Sequence, residues 1–125
     1  MIFGLFGDPA AREAKQLNRD APLIIEQAEQ TFTDARVREI AAAVVEHRDR
    51  AYQLFGRVGV DLRRAHDEYK KLHKDARNRS DQLQLTTMTL VIIYLRAEMN
   101  GLGSAPARAA IDQFVARWSE APAGS

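Results

Sequence analysis

The chain has 125 residues, the length of one ordinary domain and enough to bury a single core without covalent staples. Its 18 basic and 17 acidic side chains leave a net charge of +1, which excludes a global field steering it onto nucleic acid or anionic lipid. No cysteine is present, so disulfides, thiolate nucleophiles and cysteine-ligated metal centres are excluded as well.

The opening segment Ile2-Phe3-Gly4-Leu5-Phe6 is apolar but has no basic flank and is too short for a signal peptide. The longest other apolar run, Leu90 to Leu95, falls far short of the roughly 20 residues that span a bilayer. A cytoplasmic protein without a transmembrane segment is the expectation. The expected layout is one helical domain over residues 1–120, with residues 1–7 as an apolar lead segment, and a flexible tail over 121–125.

No hairpin-forming strand pattern occurs, while alanine and arginine, both helix formers, are abundant. Asp8-Pro9 has the form of an N-cap followed by a first-turn proline, predicting a helix to about Asn18. Asp20-Ala21-Pro22 predicts a break, with a second helix from Pro22 to Phe32.

From Asp34 to Arg79 the apolar positions follow a heptad seam. Val37, Ile40, Val44, His47, Ala51, Leu54 and Val58 alternate by three and four; Leu62, Ala65, Tyr69, Leu72 and Ala76 continue after one stutter. Gly56 and Gly59 lie at that stutter, and paired glycines mark turns. The preferred reading is therefore a coiled-coil-like hairpin of two helices. The alternative is one continuous helix over 34–79 in a dimer.

Asp81 and Gln84 form a capping-box pattern, and Asn100-Gly101 supplies a stop. The helix between them is apolar all round at Leu90 to Leu95 and is predicted to be the most buried. Ser104-Ala105-Pro106 opens a last helix with Ile111, Phe114, Val115 and Trp118 on its apolar face. The fold class is all-α: a four- to five-helix bundle, mostly antiparallel.

The chemistry-bearing residues are sparse. His66 and His73 are seven apart, about 10 Å along a helix, too far for one metal ion. They read as solvated helix histidines. Glu-x-x-His, which di-iron bundles need, does not occur. His47-Arg48-Asp49 mimics the start of a kinase catalytic loop but lies in a helical pattern and lacks the following Asn. His47 falls on the seam, where a polar residue can fix register. No cofactor, metal or catalytic residue is expected.

The basic helix face is the strongest charge feature. Arg63, Arg64, Lys70, Lys71, Lys74 and Arg77 form a candidate interaction surface, with Asp67–Lys71 and Asp75–Arg79 as expected i,i+4 pairs that use part of the charge. Leu62, Ala65, Tyr69, Leu72 and Ala76 form a narrow stripe, a candidate oligomer seam. Phe3, Leu5 and Phe6 are a candidate apolar contact.

The function these features suggest is a non-enzymatic module for protein interaction or oligomerisation, with a homodimer as one form. Nucleic acid or another acidic partner on the basic helix 63–79 is the first alternative, nucleic acid being the less favoured. A small-ligand binder or enzyme with a pocket between helices is the second, with Tyr94, Arg96 and Glu98, or an inward Glu26, as its polar groups.

Overall fold

The computed structural model describes residues 8–55 and 59–119. They form a bundle of five helices: α1 (Pro9–Thr31), α2 (Asp34–Phe55), α3 (Gly59–Asn78), α4 (Gln82–Asn100) and α5 (Ala105–Ser119), with a single 3-10 turn, Gly101–Ser104, before α5. The apolar contact residues Phe3, Leu5 and Phe6 and the tail lie outside the described residues.

The predicted N-cap forms at Asp8, and at Asp81 the carboxylate half of the capping box forms. The Asp8 side chain accepts from the Ala10 N–H at 3.1 Å, and Asp81 accepts from the Gln84 N–H at 3.1 Å. Gly101, at φ +78°, ends α4 in the left-handed region where a side chain would be strained. At the α3–α4 turn the left-handed position is filled by Ser80, φ +55°, while the Asp81 N–H bonds back to the Ala76 carbonyl at 2.9 Å. Asp81 thus closes one helix with its backbone and opens the next with its carboxylate.

The predicted break at Pro22 does not occur: α1 runs through it. Ala14, Leu17, Ala21, Ile25 and Ala28 are all buried and keep one helical phase across the proline. Pro22 itself sits on the exposed side, where its ring displaces no core atom. Packing of the stripe outweighs the local cost of one missing N–H.

The hairpin reading holds, and the continuous 34–79 helix is excluded. The Tyr69 hydroxyl donates to the His47 carbonyl oxygen at 3.1 Å and lies 3.2 Å from His47 Nδ1. In one straight helix these residues, 22 apart, would be separated by about 33 Å. The two rings also meet edge to face at 5.3 Å. His47 therefore pins the register of α2 against α3.

Helix α4 is the hub, touching all four other helices. Met88, Leu90, Val91 and Leu95 are fully enclosed, joined by Ile40 and Val44 of α2, Leu62 of α3 and Ile111 and Phe114 of α5. Neighbours in sequence run antiparallel. In contrast, α1 and α5 run parallel: Asn18 Oδ1 accepts from the Ala107 N–H at 2.9 Å, and Trp118 Nε1 donates to Glu29 at 2.6 Å, both pairs 89 residues apart. No helix of the described residues is long and apolar enough to cross a membrane.

Candidate functional site

Helices α1 and α3 both pack on α4 but have no direct backbone contact with each other. A groove therefore runs along α4 between them. One end of it is a cavity of about 430 Å³, walled by Glu13 of α1, Arg63, His66, Asp67 and Lys70 of α3, and Arg96 and Met99 of α4.

Glu13 and Arg96 join the α1 wall to the α4 floor as a bidentate pair, with Arg96 Nε donating to Glu13 Oε1 at 2.7 Å and Nη2 to Oε2 at 2.5 Å. These hydrogen bonds hold the Glu13 carboxyl below its ordinary range and push the Arg96 guanidinium higher still. Beside them, the Asn100 amide donates to the Ala10 carbonyl at 2.9 Å and to Ser104 Oγ at 3.0 Å, tying the start of α1 to the end of α4. Asn18 reinforces this end by donating to the Gly103 carbonyl at 2.9 Å. The cavity wall is thus fixed by hydrogen bonds from three elements.

His66 is the unexpected member. Rather than being solvated, it is only 4% exposed, with Nδ1 3.6 Å from Asp67 Oδ1. It follows Leu62 by four and precedes Tyr69 by three, so it shares the phase of the buried stripe. Burial, and then the charge of Arg96, lowers its pKa. His73 is half-buried and hydrogen-bonds Thr89 at 3.1 Å. Among the described residues no group of three or more His, Asp or Glu could hold a metal ion.

All three histidines are shifted downward, chiefly by burial. Each enters the fold neutral, whereas the unfolded chain binds their protons near pH 6.5. The unfolded state therefore gains protons first on acidification. Stability is complete above pH 6.5 and is lost as pH falls toward the lowered folded values. Urea midpoints measured between pH 7.5 and 5, above the carboxylate range, will drop; His66→Gln will flatten that slope.

The six predicted surface bases are all exposed on α3. Lys71 pairs with Glu68 at 3.3 Å rather than with Asp67, while Asp75–Arg79 forms at 2.8 Å. Arg63, Arg64, Lys70, Lys74 and Arg77 make no ion pair among the described residues. Self-pairing uses the two bases that i,i+4 spacing suggests, Lys71 and Arg79, with Glu68 in place of Asp67.

The seam residues have a different fate. Leu62, Ala65, Tyr69 and Ala76 are buried inside this chain, and only Leu72, at 43%, remains exposed. In this fold the stripe faces inward, so it is not a free surface for a second copy. The Tyr94, Arg96 and Glu98 cluster also separates. Arg96 enters the groove, whereas Tyr94 stacks under Arg48 at 5.1 Å and Glu98 pairs with Arg108 at 2.8 Å, toward α2 and α5. Glu26 is exposed and accepts from Gln30 at 3.3 Å.

Sequence reasoning missed Glu13 and Glu29, which borders α5 by accepting from Trp118 and from Arg117 at 3.0 Å. Both flank the buried stripe of α1, a phase at which a carboxylate meets a neighbouring helix. Comparisons with protein-family models, with curated proteins and with solved structures find no match, so the site is read from its own geometry.

Proposed function

We propose that the protein is a non-enzymatic helical binding module whose partner is an acidic, helical protein segment lying along the α1–α3 groove. The observation that carries this reading is the row Arg63, Lys70 and Arg77. Spaced by seven, these bases share one side of α3 over about 21 Å and have no ion pair among the described residues. Carboxylates at the same spacing on a partner helix would meet them in register.

The balance of charge favours protein over nucleic acid. Helix α3 carries six bases but also four acids, Asp61, Asp67, Glu68 and Asp75. A surplus of two gives little counterion release, whereas a phosphate-tracking face needs many contacts of one sign. A different chain fits better than a second copy, because the stripe a homodimer would use already rests on α4 and α2.

Fluorescence anisotropy tests this reading with a labelled Glu-rich amphipathic peptide, its Gln counterpart and a single-stranded oligonucleotide. The acidic peptide binds, weakens with salt, and loses about tenfold in affinity, or 1.4 kcal/mol, with Arg63→Ala, Lys70→Ala and Arg77→Ala combined. Equal binding of the Gln peptide, or tighter binding of the oligonucleotide, overturns it.

A further inference from the structure

The cavity at the Arg96 end of the groove has a composition that a helix-docking surface does not require. Its volume, about 430 Å³, lies within the range of small-molecule sites and far exceeds the roughly 30 Å³ of one water. Three cationic side chains, Arg63, Lys70 and Arg96, face two carboxylates, Glu13 and Asp67.

These charges are not equivalent. Both oxygens of Glu13 are engaged by Arg96, so that pair is internally neutral. Asp67 has its Oδ1 turned to His66. Arg63 and Lys70 are left with no ion pair among the described residues. Between them His66 presents a nearly enclosed imidazole to the cavity wall. Met99, Pro9 and Ala10 add apolar surface to the same cavity, beside the Asn100 amide. The site therefore pairs a positive corner with a surface that suits a hydrocarbon body.

We propose that this cavity binds a compact organic dianion, a dicarboxylate or a phosphate monoester, with its charge at Arg63, Lys70 and His66 and its body against Met99. The site shares Arg63 and Lys70 with the acidic-helix interface, whose row extends beyond it to Arg77, so a dianion and an acidic helix compete for those two bases. An anion there favours the imidazolium form of His66, against the groups around it: Arg63 and Lys70 on its own helix, Arg96 from α4, and the acids Glu13 and Asp67. Binding and protonation are then linked, each strengthening the other by the same factor. Without ligand, burial keeps His66 neutral.

NMR of the His66 imidazole, assigned by its absence in His66→Gln, tests the site on the full chain. The probes are isophthalate, phenyl phosphate, and benzyl alcohol as an uncharged body. Isophthalate stays doubly ionised from pH 6 to 8, so changes in its affinity report the protein.

The expected result is a saturable shift of His66 with at least one dianion, a raised His66 pKa in its presence, and tighter isophthalate binding at pH 6 than at pH 8 if isophthalate is the ligand class. Arg63→Ala with Lys70→Ala weakens binding about tenfold or more. The tighter of the two probes assigns carboxylate or phosphate. Equal shifts with benzyl alcohol or with sodium chloride, or binding unchanged in the double variant, overturn the site. Arg77→Ala separates the two proposals: it weakens the acidic peptide and leaves dianion binding at wild-type affinity.

Discussion

Leu62→Ala will destabilise the protein by about 2–5 kcal/mol, and the loss will not depend on protein concentration. Leu62 is 1% exposed and belongs to the single core cluster built around α4. Truncation removes three heavy atoms of apolar contact and leaves a cavity between rigid helices that can collapse only in part. The same stripe in a homodimer would behave differently: its melting midpoint would rise with concentration by mass action, in the wild type and in the variant. Urea unfolding at two concentrations a hundredfold apart distinguishes the two. A midpoint that moves with concentration would return the stripe to an oligomer interface.

The contrast shows what periodicity can and cannot disclose. Heptad spacing over Leu62 to Ala76 reports that a narrow stripe is covered, but not by which partner. The stripe is narrow because α3 lies at the edge of the bundle. It touches α2 and α4, while α1 stands across the groove and never reaches it. A thin apolar face thus marked an edge helix, which leaves the same trace in sequence as a dimer seam.

The caps at Asp8, Asp81 and Gly101 were legible because a cap is chemistry within a few residues. The groove was not. Glu13 and Arg96 are 83 residues apart, and their pairing exists only because α1 and α4 run antiparallel with Ala10 against Asn100. His66 could have been read as enclosed from its phase alone. Its seven-residue spacing to His73 carries no information about that phase.

Pro22→Ala will raise stability, by about 2 kcal/mol. Proline in a helix interior is about 3 kcal/mol worse than alanine, because residue 22 cannot donate to the Asn18 carbonyl and its ring crowds that oxygen. Part of the gain is offset, since proline also restricts the unfolded chain by about 0.4–1 kcal/mol. Nothing else opposes it: Pro22 is exposed, and the buried neighbours Ala21 and Ile25 keep their places. The sign of the result reads the local structure. Were residue 22 the first turn of a separate helix, its missing N–H would cost nothing and its fixed φ would help, so alanine would lower stability or leave it unchanged. A rise in the thermal midpoint of several degrees therefore identifies α1 as one rod. That rod is what the site depends on, because it sets Glu13 opposite Arg96 while holding Glu29 against Arg117 and Trp118 at its other end.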